Sequence, residues 1–401
     1  MSNTLLTIDM ITRKALEVLE NSLVITRNIN RQYDPSFAVE GAKIGSTLRV
    51  RKPVRYTVST GAALAVQDVT EDYTTLSVAT QAQVAMNFTT AEMTMNLDDF
   101  NEKIIHPAIS QMASYIDADV ANVYKDVWQS VGTAGTTPAT SLVLLQGQQK
   151  LNEAAANANP RYATVNPAAN ASLVEGMKGL FNPGSVIDRQ FKSGMMGADV
   201  LGYSEIAMSQ SIKQFTPGTR AGAHTVTTTV STQGDTTLDI TGSGSETLAI
   251  GDVFTVANVY AVNPQTREST GSLQQFVVTA ANTASGGAYS NVAIQPPMYT
   301  SGQQLATIDA FPVSGAVVTF IGSTAVQYPQ NLIYHKDAFT MATADLLMPN
   351  NVDMASRQVH NGISMRIVRD YDINNDRMPC RVDVLYGYKA IRPEMAVRLW
   401  G

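Results

Sequence analysis

GDVFTVANVYAVNPQTREST, residues 251–270, is written as a strand, an Asn-Pro turn and the start of a second strand. Val253, Phe254, Val256, Val259 and Tyr260 supply β-branched and aromatic residues, and Asn263-Pro264 supplies the turn signal. Between Ala221 and His335 the sole Lys or Arg is Arg267, and Ser, Thr and Gly abound. Further short runs follow the same grammar: LDIT (238–241), QQFVVTAA (274–281), NVAIQP (291–296) and AVVTFIG (316–322). Their spacing predicts a small barrel or sandwich over 221–323. The sequence on either side is helical and richer in charge. Beyond this unit, NLIYHKDAFTMATADL, GISMRIVRDYD and CRVDVLYGYKAIRPEMAVRLW read as strands. They must pair with the earlier body, because a C-terminal set of strands alone would leave open edges. The polar β-unit is therefore read as an insertion within a host domain.

Working back towards the start, IDMITRKALEVLENSLVI places Ile8, Ile11, Ala15, Leu16, Leu19 and Leu23 at helical spacing. It predicts a short amphipathic helix that must dock to be stable. NRQYDPS after it reads as a turn. Residues 45–94 alternate as two long limbs with a tip near 61–70. Arg49, Arg51, Lys52 and Arg55 lie on one limb; Asp68, Glu71 and Asp72 lie on the tip and return limb. A lone hairpin is marginal in water, so this one must lie on a neighbour. Three readings of the basic run stay open: a solvated strand face, a phosphate-binding strip, or half of an ion-pair contact with another subunit. NLDDFNEKIIHPAISQMASYIDADVANVYKDVW is the strongest helix signal. Phe100, Ile104, Ala108, Met112, Tyr115, Ile116, Val123, Val127 and Trp128 trace its stripe, Asp99 with Glu102 forms a capping box, and Pro107 predicts a kink. Helices in LVLLQGQQKLNEAAANA and AANASLVEGMKGLF, with the strand RYATVN between them, give an α/β unit.

The 401 residues suggest two or three structural units, and 44% hydrophobic content is ample for a packed interior. Charged residues are only 15%, as in a protein whose surface is largely covered by partners. The net charge of -6 argues against a general basic nucleic-acid coat. The single Cys380 precludes an internal disulfide and, in an apolar strand, reads as an inert thiol. MSNTLLTIDM lacks the features of a signal peptide, and no apolar run reaches the roughly 18–20 residues that span a bilayer, so a soluble chain made in the cytoplasm is expected. His106, His224, His335 and His360 stand far apart, without metal-ligand spacing. Residues 179–185 have the glycine spacing of a phosphate loop but lack its Lys. No catalytic, cofactor or metal site is expected.

The ordered parts resemble the tailed-bacteriophage major capsid protein, and within that family the coats of short-tailed phages with an inserted β-domain. The residues that carry this are MNLDDFNEKIIHPAISQMASYIDAD, GDVFTVANVYAVNPQTREST and the ending YGYKAIRPEMAVRLWG, with Tyr386-Gly387 and Arg392-Pro393-Glu394. The resemblance implies an α+β capsid fold with an N-terminal arm (1–44), an extended hairpin loop (45–94) and a spine helix with peripheral domain (95–138). It further implies an axial domain (139–220 and 324–377), the inserted β-domain (221–323) and closing peripheral strands (378–401). It implies a non-enzymatic shell protein of the virion, assembled in the host cytoplasm from pentamers and hexamers of one chain around double-stranded DNA. Scaffolding, portal and decoration proteins would be its partners, with no cofactor, membrane or sequence-specific DNA contact. Arg49, Arg51, Lys52, Arg55, Glu71 and Asp72 would make intersubunit contacts, and Glu17 and Glu20 would meet the scaffold. The insertion would help the subunit to fold. The alternative reading is a cell-surface or adhesive β-rich protein.

Overall fold

The computed structural model describes residues 8–34, 47–51, 73–89, 106–177, 196–301, 306–375 and 377–401, with positions 56, 60–62, 64, 66 and 194 between them. The chain opens with α1 (Ile8–Ser22), α2 (Ile25–Asn28), β1 (Asn30–Asp34), β2 (Thr47–Arg51), β3 (Tyr73–Ser77) and β4 (Thr80–Thr89). Helix α3 (His106–Val120), a 3-10 turn (Ala121–Asp126), β5 (Ser130–Val131), α4 (Ser141–Glu153), β6 (Arg161–Val165) and α5 (Pro167–Gly176) follow. Then come β7 (Gly197–Val200), β8 (Tyr203–Met208), β9 (Gln214–Phe215), β10 (His224–Thr225), β11 (Asp235–Thr241), β12 (Thr247–Leu248) and β13 (Val253–Val262). The next strands are β14 (Ser269–Val278), β15 (Asn282–Thr283), β16 (Ala288–Met298), β17 (Val317–Phe320) and β18 (Tyr328–His335). The chain closes with β19 (Phe339–Ala344), β20 (Met354–His360), β21 (Ile363–Arg369), β22 (Arg377–Ala390) and β23 (Ala396–Trp400).

Two compact units result. One is drawn from Met1–Val50, Tyr73–Ala121 and Phe339–Lys389. Its sheet runs β1-β19-β22-β21-β20, with β4 also paired to β22. Helix α1 buries Ala15, Leu16 and Leu19 and exposes Arg13, Lys14 and Glu17, the two faces of an amphipathic helix. It packs on β20 and on α3. Helix α3 buries Ile109, Met112, Ala113, Ile116 and Val120, one face at i, i+3, i+4, i+7 and i+11. Tyr115, expected on that stripe, is 57% exposed, and its place is taken by the buried Asp117. The helical signal extended to Trp128, yet helix gives way to the 3-10 turn at Ala121. Val123, Val127 and Trp128 are buried all the same, so apolar spacing reported burial and not helix. Pro107 is the second described residue of α3; Asp99, Phe100, Glu102 and Ile104 lie outside the described residues. NRQYDPS is corrected in part: Asn30–Asp34 is a parallel strand on β19, a partner some three hundred residues away that no local rule could see.

The other unit is drawn from Arg51–Asp72, Asn122–Ala338 and Ala390–Gly401. Its host sheet runs β5-β23-β18-β6-β8-β7, and α4 packs on β5, β18 and β23. Two boundaries read from the sequence are thereby corrected. Residues 324–377 do not go together: β18 joins β6, while β19, β20 and β21 join the sheet of the first unit. Nor do residues 378–401, since β22 stays in that sheet and β23 pairs with β18 and β5. The cause is a pair of 3-10 turns, Lys336–Ala338 and Pro393–Met395, which break two apolar runs and redirect the chain. They are tied together: the amides of Ile391 and Arg392 donate to the Ala338 carbonyl at 3.0 and 3.1 Å.

The middle strands form an antiparallel sheet of order β10-β17-β13-β14-β16-β11. A bridge between Val226 and Ile240, and a bond from Thr227 N to Asp239 O at 2.9 Å, join its two ends into a barrel. Leu238, Ile240, Phe254, Val256, Phe276, Tyr289, Val292 and Ile294 fill it. In the β13–β14 hairpin, the Asn263 side chain accepts from the amides of Gln265 and Thr266, so the Asn-Pro signal is an Asx turn. With its own closed core, the fragment 218–323 is expected to fold alone, with dispersed amide resonances and strand-type circular dichroism. A disordered fragment would show that the barrel needs the host sheet. Starting at Gly218 and not Ala221 keeps Arg220, whose part is described below.

Candidate functional site

Strands β2 and β3 form a two-stranded ladder. On it the Arg49 guanidinium stands over the Tyr73 ring, 5.1 Å from the centroid. Arg49 and Arg51 are exposed, and Tyr73 is 53% exposed. Tyr56, Leu64 and Val66 in the same excursion are exposed too, Leu64 by 91%. Lys52, Arg55, Asp68, Glu71 and Asp72 lie outside the described residues. The root of the ladder is fixed. Leu76 and Val78 are buried with Ala342, Ala344 and Leu385, and Lys389 Nζ donates to the Thr75 carbonyl at 3.0 Å. Gly387 lies against the Ser77 carbonyl, where any Cβ would collide. The Tyr386-Gly387 pair noted in the sequence thus permits a close approach of two backbones.

The two arm carboxylates part company. Glu17 is exposed on α1. Glu20 is engaged within the subunit, with Arg31 Nη1 at 3.2 Å, Asn361 Nδ2 at 2.7 Å and His360 Nε2 at 3.1 Å. It clasps α1 to the β20–β21 hairpin, so that of the expected two Glu17 alone has no partner among the described residues.

Sequence reasoning missed the acids that hold the arm and the closing strand. Asp117, buried on α3, accepts from Ile25 N at 3.2 Å, Thr26 N at 2.9 Å and Thr26 Oγ1 at 3.0 Å. Burial pushes its carboxyl up, and these donors pull it back down. Asp119 accepts from the hydroxyls of Tyr386 at 2.8 Å and Tyr388 at 3.1 Å. Burial first and Asp119 second push the Tyr386 phenol well above its usual range. The available signal was an Asp falling on the apolar face of a helix.

The neck of the barrel holds a buried ion pair. Arg220 Nη1 meets Asp252 Oδ1 at 2.6 Å, and the side chains are 4% and 0% exposed. Arg220 Nη2 also donates to the carbonyls of Ile321 and Gly322 at 2.9 and 3.1 Å. Asp252 accepts from the amides of Gly218 and Ala249 at 3.2 and 2.7 Å. The pair therefore joins the segment leading into the barrel, the turn between β12 and β13 and the segment that follows β17. Burial pushes Asp252 up and Arg220 down, and each partner opposes the other's shift. The Gln275 side chain pairs with the backbone of Ser130, accepting at 2.6 Å and donating at 3.1 Å.

His335 is buried, and its Nδ1 accepts from the Asp337 amide at 3.2 Å. Burial pushes the Cys380 thiol up, away from the reactive form. Among the described residues no three His, Cys, Asp or Glu stand together as a metal site, and no helix is long and apolar enough to cross a membrane.

Comparison with known proteins gives the following. No curated protein matches the chain. Among solved structures, the chain is similar to one from Mycobacterium phage Che8, at TM-score 0.46 and 11% identity, over 94% of this chain and 90% of that one. It is similar to a chain of the bacteriophage PhiM1 mature capsid, at TM-score 0.42 and 12% identity, over 92% and 85%. The I-domain of the CUS-3 coat protein matches 26% of this chain and 98% of its own, at 25% identity and TM-score 0.20. The family described as P22 coat protein, gene protein 5, matches residues 1–401. That match covers every element described above, and on it the chain belongs to the P22 coat protein family and is a phage major capsid protein of the head shell.

Proposed function

We propose that this chain assembles with copies of itself into a closed icosahedral shell of pentamers and hexamers around the phage's double-stranded DNA. The β2–β3 hairpin reaches a neighbouring copy, and the barrel is an outer, charge-poor projection. In this reading the chain is structural and has no catalytic role. Assembly takes place in the host cytoplasm, with a scaffolding protein at the arm through Glu17, a portal protein and a decoration protein as further partners. One observation supports it above others: a hairpin anchored at its root by Leu76 and Val78 carries exposed Leu64 and Val66, which gain from burial against a partner, and exposed Arg49 and Arg51, which gain from meeting an acidic one.

Electron microscopy of the chain expressed with its scaffold is expected to show uniform closed shells; a persistent monomer would overturn the proposal. The hairpin is tested by Arg49→Glu with Arg51→Glu. Subunits should remain folded, because both side chains are exposed. Shell formation, followed by light scattering, should slow by about tenfold or more in dilute buffer, and less at high salt, where charge is screened. Assembly at the wild-type rate in dilute buffer would remove the hairpin from the contact.

A further inference from the structure

The last strand carries an unusual charge. Arg398, at the centre of β23, has no solvent exposure. Its Nε donates to Gln330 Oε1 on β18 at 2.8 Å, and its Nη1 donates to the Gly251 carbonyl at 2.6 Å. The guanidinium stands 5.1 Å from the rings of Tyr124 and Phe215 and 4.9 Å from that of Trp400. Its Nη2 has no hydrogen-bond partner among the described residues. Burial pulls its pKa down to about 10, which leaves it charged at neutral pH. The carboxylate that acts on it is Asp252, next to Gly251 and already paired with Arg220.

We propose that Arg398 makes the seating of the last strand conditional on the inserted barrel: β23 completes the host sheet only once the Ala249–Asp252 turn of a folded barrel is in place. A fully buried charge is tolerated only where donors and opposing charge are met. Two of the groups that meet this one, the Gly251 carbonyl and the Asp252 carboxylate, belong to the turn between β12 and β13 of the barrel. Asp252 holds that turn by accepting from the amides of Ala249 and Gly218 and pairing with Arg220. Without it, Arg398 keeps Gln330 and three ring faces, too little for a guanidinium out of water. The effect does not stop at one side chain. Strand β23 lies between β5 and β18, and the Arg398 amide donates to the Gln129 carbonyl at 2.8 Å. An unseated β23 leaves β5 and the edge of β18 unpaired. The final strand thus reports, through one charge, whether a barrel more than a hundred residues earlier in the sequence has folded, and a subunit with an open barrel lacks a finished host sheet.

The coupling is measured by amide hydrogen exchange on soluble full-length subunits. Ile240→Ala loosens the barrel from within its core and removes none of the groups bonded to Arg398. In the Arg398 background it is expected to raise exchange of the β23 amides by about tenfold or more, in step with barrel amides such as those of Phe276 and Val278. In an Arg398→Met background, where an apolar chain of similar length needs no carbonyl, Ile240→Ala should still loosen the barrel but leave β23 within about twofold of Arg398→Met alone. Unchanged β23 exchange in the first background overturns the proposal, as does an equal rise in both. If Ile240→Ala prevents folding, Ile240→Val loosens the barrel less and gives the same comparison. If Arg398→Met prevents folding, Arg398→Leu supplies the uncharged background for the same comparison.

Discussion

Asp252→Ala is expected to destabilise the soluble subunit by about 3–5 kcal/mol, read from urea denaturation. The argument is one of an abandoned charge. Arg220 cannot lose its proton under these conditions, and its side chain is 4% exposed. With Asp252 gone it would face the Ile321 and Gly322 carbonyls and the Phe320 ring, 4.6 Å away, with no acid. The amides of Gly218 and Ala249 would lose their acceptor as well. Such a loss approaches the whole stability of many domains, so the variant should accumulate as aggregate at temperatures where the parent assembles. Replacing both partners, Arg220→Met with Asp252→Leu, should recover most of the loss in the barrel, since removing both charges strands neither. The backbone amides would remain unsatisfied, so recovery would be incomplete. A single variant within about 1 kcal/mol of the parent would mean that water reaches the neck and solvates Arg220.

What the sequence disclosed, and what it withheld, follows from the range of each interaction. The strand–turn–strand of 251–270 was legible because period-two alternation and the Asn263 turn are local. Closure of the barrel was not, because β10 is two residues long and its contact with β11 is a single bridge plus side-chain and backbone bonds. Helix α1 was legible from its apolar spacing, whereas β1 looked like a turn because Asp34-Pro35 is a strong local signal and its partner β19 is remote. The stripe of α3 went wrong at Tyr115 and Asp117 for a physical reason: a carboxylate can sit on the buried face when backbone amides are aimed at it. The host sheet was divided at the wrong places because β22 and β23 form one apolar run on paper, and only the Pro393–Met395 turn sends them to different sheets. The basic hairpin was legible as an element that cannot stand alone; which of its charges meet a partner is a matter of neighbours that one chain does not contain. Arg398 was visible as a charge inside AVRLW, but its partners at Gly251 and Gln330 are tertiary.

Ile116→Ala is expected to make assembly temperature-sensitive while leaving preformed shells intact. Ile116 is 1% exposed on the face of α3 that packs against α1, α2 and β4, all within one subunit. Its truncation removes apolar burial and leaves a cavity, about 2–5 kcal/mol together. The same face carries Asp117, whose bonds to Ile25 and Thr26 hold the arm, so relaxation of α3 into the cavity would disturb that grip and favours the upper part of the range. A free subunit of ordinary stability could lose most of its margin, and heating would then populate open chains that aggregate. A subunit already in a shell is held by its neighbours too, because association stabilises the folded form by mass action. The test assembles the variant at low temperature, shifts it up, and measures shells and soluble subunits by sedimentation. Newly made chains should fail to assemble after the shift while existing shells sediment unchanged. If the existing shells come apart at the temperature that blocks new assembly, Ile116 supports the contacts between subunits, and the burial of α3 within the single chain is not what limits assembly.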